Sequence, residues 1–277
     1  MSEHASEGVS STMLGSVFAR TIFEQRRALL WWAIGVVATV TMYSSFWPSI
    51  RDNAAQFETY LQSLPEGFRN LWGSASLSTP QGYIQVEFFS LLGPIILLVY
   101  AIGAGARAIA GEEQDGTMDL LLSTPVPRRR VVRDKFAAMM LGIALLTALS
   151  WLALAAMGPL FDMHLGLVGL TAATLNLLLL AAVFGAIALA AGAATGVRGT
   201  AVGVAGGIAL ATFVMNTLAP SANVLRPLRH VSPFHYYSSH QPLSNGFDVV
   251  DVAVLLGICV AACAVALAVF ERRDIAA

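Results

Sequence analysis

The sequence predicts an all-α membrane protein with six transmembrane helices, an N-terminal amphipathic elbow helix and one short helix carried in a cytoplasmic loop. Three observations predict it. Of 277 residues, 56% are hydrophobic and only 12% are charged, about half the charge of a soluble domain. Marking every charge leaves six uncharged windows, at 28–50, 88–106, 136–161, 163–197, 199–225 and 252–270, each able to hold the roughly 20 residues that cross a bilayer core. The Lys and Arg residues fall unevenly on the two sides that these windows define.

Residues 1–12 read as a flexible N-terminus. Met13, Leu14, Val17, Phe18 and Ile22 then recur at helical spacing before Arg26 and Arg27, which predicts an elbow helix over 13–27, lying on the cytoplasmic interface and turning into the first span. The start of the chain is too acidic for a signal n-region and no A-x-A-like site follows the first apolar run, so that run is read as retained. Spans are placed at 28–47, 87–108, 136–158, 167–195, 199–219 and 250–270, within one domain. Between the fourth and fifth stands only Arg198, flanked by Gly196 and Gly199, which predicts a very short turn; reading the two as one broken helix would leave five spans. With six, twelve Lys and Arg residues fall on one side and four on the other (Arg51, Arg69, Arg226 and Arg229). The positive-inside rule then places both termini in the cytoplasm. Five spans would put Arg272 and Arg273 outside, so the even number is preferred.

Two loops face outward, at 48–83 and 220–249. The first carries Phe57, Tyr60, Leu61, Leu64, Phe68 and Trp72 and is expected to fold into short helices. The second carries four prolines and His230, His235, Tyr236, Tyr237 and His240. The i, i+5 spacing of its histidines fits no zinc motif, so interfacial anchoring by the aromatic rings is the expectation. Cys259 and Cys263 sit i, i+4 on one helix face and are expected to pack as small apolar residues. Glu87, at the outer end of span 2, is an ionisable residue at membrane depth and a candidate for the substrate path, weighed against an interfacial anchor or a partner for Arg226 or Arg229. Asn176 and Asn216, inside spans 4 and 5, are further candidates on that path, although polar side chains there more often bond a neighbouring helix.

Several classes are excluded. A net charge of −1 gives no basic field for nucleic acid. No H-E-x-x-H or G-x-S-x-G motif occurs, so an enzyme active site is not expected. A Walker A site needs a Lys after a Gly in a glycine-rich turn, and Lys135, the single lysine, follows Asp134. This chain therefore supplies no such ATP site.

Residues 107–135, which contain the loop 109–135, hold 11 of the chain's 33 formal charges. The loop reads Gly111-Glu112-Glu113-Gln114-Asp115-Gly116-Thr117-Met118-Asp119-Leu120-Leu121-Leu122-Ser123-Thr124-Pro125-Val126-Pro127-Arg128. Thr117 can cap a short helix that Pro125 and Pro127 end, with Met118 and Leu120 to Leu122 as its apolar surface. A positive-inside loop accounts for the arginines but not for three leucines in water. A helix docking into a cleft on a soluble partner accounts for both.

In this loop the chain resembles the ABC-2 type permeases, through Gly111-Glu112, Gly116-Thr117, Leu121-Leu122-Ser123-Thr124-Pro125, Arg128 and Lys135, the last expected to open the next helix. The likeness extends over Trp31-Trp32, Glu87-Phe88-Phe89-Ser90, Ala104-Gly105-Ala106-Arg107, Ser232-Pro233-Phe234, Asn245-Gly246 and Glu271-Arg272-Arg273-Asp274. The resemblance implies an ABC-2 exporter type fold in the cell membrane that pairs with a second permease chain and two copies of an ATPase subunit, with ATP and Mg held by the ATPase and no cofactor here. It implies a coupling helix in which Glu112, Gly116, Thr117, Leu120, Leu121, Leu122, Pro125 and Arg128 meet the ATPase, and a second outer loop that re-enters the membrane, where His235 and Tyr236 help to close the exit. The expected function is export of a hydrophobic or amphipathic small molecule (a drug, antibiotic or lipid). The alternative is a maturation scaffold or force transmitter that docks an extracytoplasmic partner on the outer loops.

Overall fold

The computed structural model describes residues 17–53, 56, 59, 63, 79–116, 127–219 and 228–273. Its long helices are α1 (Val17–Asp52), α2 (Pro80–Gln114), α3 (Arg128–Leu160), α4 (Leu167–Thr195) and α5 (Arg198–Leu218). Two short helices follow, α6 (Pro233–Ser238) and α7 (Pro242–Asn245), and then α8 (Val249–Arg272). Among the described residues, six helices are long and apolar enough to cross a membrane and none of the chain is strand. The six-span reading holds. Gly196 makes it possible: its backbone sits at φ 65° and its N–H bonds the Gly192 carbonyl, a left-handed stop that a residue with a Cβ resists. Only Gly196 and Val197 separate α4 from α5.

α4 is the centre of the bundle. It is apolar on every side, as a helix enclosed by others must be, and 72% of its most apolar stretch is buried, against 17% for α1 and α8. It packs on α2, α3, α5 and α8. The closest approach is the α2–α4 crossing, where a Cβ on Gly105 would collide with the Gly185 carbonyl, and one on Gly185 would meet Met139 of α3. Small residues at such a crossing allow backbone contact where there is no hydrophobic drive to bring helices together. α1 lies on the outside of α3, burying one seam of Val36, Val40, Ser44 and Trp47. It touches α2 through the ring pairs Trp32–Tyr100 and Trp47–Tyr83, at 6.0 and 5.4 Å. Its other face exposes Leu30, Trp31, Ile34 and Phe46.

The structure corrects several boundaries. The elbow expected over 13–27 is not a separate element from Val17 onward, because the helix runs unbroken into the span. No Gly or Pro occurs between Val17 and Ile34, and Arg20 and Glu24 bridge one turn at 2.8 Å. Met13 and Leu14 lie outside the described residues. The loop expected over 109–135 shortens to the stretch between Gln114 and Arg128, since α2 and α3 continue through charged residues once past the apolar stretch. Lys135 consequently stands two turns inside α3; Pro127 precedes its first residue in an extended conformation. Likewise α1 continues to Asp52 through Pro48, and α2 begins at Pro80, inside the expected outer loop.

α2 is not a uniform α-helix. Gln85–Leu92 and Arg107–Gly111 are wound as π-helix. In the first of these the Phe89 carbonyl loses its helical donor for a definable reason: the N–H of Gly93 goes to Phe88, and the next position, Pro94, has none. The Tyr237 hydroxyl supplies the missing bond at 2.6 Å. α6 is thereby drawn into the bundle. Asn176 of α4 donates to the Tyr237 carbonyl at 3.5 Å, and Ser232 donates to the Thr212 carbonyl of α5 at 2.9 Å. Phe234 packs on Phe184 and Phe213, and Ser239 donates to Asp251 of α8 at 3.3 Å. The expectation of interfacial aromatic anchoring is corrected for Tyr237, a buried packing residue held by α2 and α4, beside which Phe234 is buried against α4 and α5.

Candidate functional site

The arginine-rich end of the bundle gathers the ends of α2, α3, α4, α5 and α8. α2 finishes with Glu112, Glu113 and Gln114, and each side chain leads to a different neighbour. Glu112 pairs with Lys135 of α3, with both side chains almost wholly buried (11% and 5% exposed). Glu113 receives both terminal nitrogens of Arg273, at 3.1 and 2.8 Å. That two-pronged contact matches the flat guanidinium to the carboxylate and is stronger than a neutral hydrogen bond. Gln114 accepts the backbone N–H of Arg198, the first residue of α5, at 3.3 Å, which satisfies one of the amides that a helix start leaves open. Gly116 then turns the chain at φ 68°, which accounts for glycine at this place in the signature.

Arg273 does more than pair with Glu113. Its Nη1 also donates to the Ala193 carbonyl at 3.1 Å, in the last turn of α4. Gly196 lies directly beneath the Glu113–Arg273 pair, where a Cβ would collide with both side chains. Arg128, the first residue of α3, reaches the end of α8 from the other side, donating to the Arg273 and Phe270 carbonyls at 2.7 and 3.3 Å. Cations and donors at a helix C-terminus complement its open carbonyls. Arg129 pairs with Glu271, but its side chain is 78% exposed, and such pairs hold little.

Of the residues expected to couple to a partner, Glu112, Gly116 and Arg128 are thus brought to this end. Thr117, Leu120, Leu121, Leu122 and Pro125 lie outside the described residues. Glu112 and Arg128 hold the bundle together rather than stand free in solvent. Glu113, Glu271 and Arg273 belong to the same junction, yet the contacts that join them to it, Arg129–Glu271 and Glu113–Arg273, bridge 142 and 160 residues of chain. Their only local signal was the Glu271-Arg272-Arg273 cluster, which reads equally as a positive-inside flank.

The substrate-path candidates do not converge on one place. Glu87 is half-buried in the first π segment and makes no hydrogen bond or ion pair among the described residues. Arg229, one of its expected partners, bonds His235 instead, and Arg226 is not among the described residues. Asn176 serves α6, as described above. Asn216 is half-buried on α5 without a hydrogen bond among the described residues. His235 is buried, with Nδ1 receiving Arg229 at 3.2–3.3 Å and its ring against His230 and Tyr236 at 4.7 and 5.1 Å. Burial first, then the Arg229 and His230 charges, push its pKa down to about 4, so it is neutral at pH 7. Tyr236 donates to the His230 carbonyl at 2.9 Å. Cys259 and Cys263 are both free thiols.

Six apolar spans, with α4 buried among the others and a tightly tied junction at one end, define a multi-pass membrane protein. Comparison with protein families matches residues 17–275 to the family described as ABC-2 family transporter protein, and the chain belongs to that family. Membership implies association with an ABC ATPase chain and a role as its membrane-spanning permease. Comparison with curated proteins yields no match.

Proposed function

We propose that this chain is the permease half of an ATP-driven exporter, with the arginine-rich end in the cytoplasm and the loop between α2 and α3 as the element on which two partner ATPase chains push. The carrying observation is the junction itself. Both ends of that loop are fixed to other spans, Glu112 to Lys135, Glu113 to Arg273 and Arg128 to the end of α8, so a displacement of the loop has a mechanical route into the bundle. Thr117, Leu120, Leu121, Leu122 and Pro125 supply the docking surface in this reading. Twelve of sixteen Lys and Arg residues on that side support the orientation. A second permease chain, against the exposed apolar faces of α1 and α5, completes the pathway. The cargo is a hydrophobic or amphipathic small molecule, consistent with spans lined by Ala, Leu and Gly.

Glu112 is a poor choice for a test because it is buried against Lys135. Replacing Leu120, Leu121 and Leu122 together with serine leaves the described contacts intact. The expected result is a permease that reaches the membrane at normal levels but no longer co-purifies with its ATPase. If co-purification and ATP-driven transport both survive, the loop is not the coupling element. If deleting part of residues 52–78 abolishes binding of an extracytoplasmic partner while ATP-driven transport is preserved, the scaffold reading takes its place.

A further inference from the structure

The geometry points to Arg273 as a positioning residue that clasps the neck of the α2–α3 loop and makes both of its ends move as one body with α8 and with the α4–α5 turn. The inference rests on the coupling role proposed for that loop and deepens it. A loop joined only to α2 and α3 could pass a push into those two helices alone. Here, one residue at the far end of the sequence touches both sides of the neck. Its guanidinium holds Glu113, just before the loop, and its carbonyl oxygen receives Arg128, just after it. The same guanidinium bonds the Ala193 carbonyl of α4, so α2, α3, α4 and α8 meet at one residue.

The chemistry suits a strut more than a switch. The two side chains are 26% and 11% exposed, so water competes weakly for them, and a planar guanidinium presents a rigid fork that meets both carboxylate oxygens and a carbonyl at once, a geometry the single nitrogen of an ammonium does not match. Gly196 leaves the space the pair occupies, and Gln114 fastens the next position of the neck to the first amide of α5. The clasp therefore stays closed while the loop is displaced, and α4, α5 and α8 follow.

The test uses the purified full-length permease, alone and with its ATPase. Arg273→Met keeps the side-chain stem and the main-chain carbonyl, and Glu113→Gln weakens the clasp from the other side. In the permease alone, amide exchange is expected to rise roughly tenfold or more at residues 111–116 and at the Arg198 amide, as local opening requires, with residues 139–150 of α3 unchanged. Arg273→Lys is expected not to restore protection. With the ATPase present, both variants are expected to retain it, while the ATP-dependent change in distance between spin labels at Leu218 and Val249 is lost. Unchanged exchange in either variant overturns the clasp. So does a freed neck that still delivers the full distance change. Because the exchange measurement needs no ATPase, it stands even if the loop proves not to be the docking element.

Discussion

Lys135 and Glu112 form an ion pair sealed between α3 and α2, with side chains only 5% and 11% exposed. The chain spends its single lysine there. A buried pair is costly to break because the remaining charge is left without its counterion. Lys135→Met is accordingly expected to cost about 3–5 kcal/mol, and Lys135→Met combined with Glu112→Leu to recover most of it. Thermal unfolding of the purified protein in detergent reads both. Arg129→Met, at the exposed Arg129–Glu271 pair, is the control and is expected to leave the unfolding temperature unchanged.

Two glycines, two residues apart on α2, should respond oppositely to a methyl group. At Gly105 a Cβ collides with the Gly185 carbonyl of α4, and backbone cannot move aside as a side chain can; at Gly103 nothing lies within 4 Å. Gly105→Ala is expected to cost about 1–3 kcal/mol through overpacking of the crossing. Gly103→Ala should be neutral or stabilising by up to about 1 kcal/mol from helix propensity. Unfolding temperatures of the two variants in the same detergent decide it, and equal shifts would mean that α2 and α4 do not cross at Gly105.

What was legible in the sequence and what was not divides along physical lines. Spans announce themselves because a bilayer tolerates few charges over roughly 20 residues, and the α4–α5 turn because Gly196 is required at positive φ. Helix ends were misplaced because α2 and α3 have no reason to stop where the apolar stretch stops; Glu112 and Lys135 are helical and find each other beyond it. The π segments leave no periodic trace, and the one clue, Pro94, explains Phe89 only once Tyr237 is seen to reach it. Tyr237 read as an interfacial ring because Tyr at a span end commonly is one. The junction around Arg273 joins residues from five helices, a pairing that no spacing rule within one helix can express.

The π segment and α6 should stand or fall together. Tyr237→Phe removes the hydroxyl that satisfies the buried Phe89 carbonyl, and an orphaned buried acceptor costs about 1–3 kcal/mol. The prediction is a loss of that size in unfolding experiments, accompanied by faster exchange of the α6 amides. Asn176→Leu, which removes the bond to the Tyr237 carbonyl, is expected to raise exchange in α6 as well. A Tyr237→Phe variant as stable as the parent would show that the carbonyl has another donor.

Acidification should loosen α6 through His235. Its Nδ1 accepts from Arg229, and burial, Arg229 and His230 together bring the pKa from 6.5 down to about 4. The opened segment therefore binds a proton over a range where the packed one does not. Stability rises with pH wherever the unfolded side binds more protons, so this contribution is fully present above pH about 6.5 and is lost progressively as pH falls toward about 4. The expected observation is exchange at residues 233–238 that accelerates on acidification across that window, beyond the intrinsic pH dependence of exchange itself. His235→Gln removes the titrating ring and should flatten the profile. Arg229→Gln, by removing the adjacent charge, should shift the midpoint upward, toward the ordinary histidine value. A profile unchanged in His235→Gln would assign the response to His230 or His240 instead.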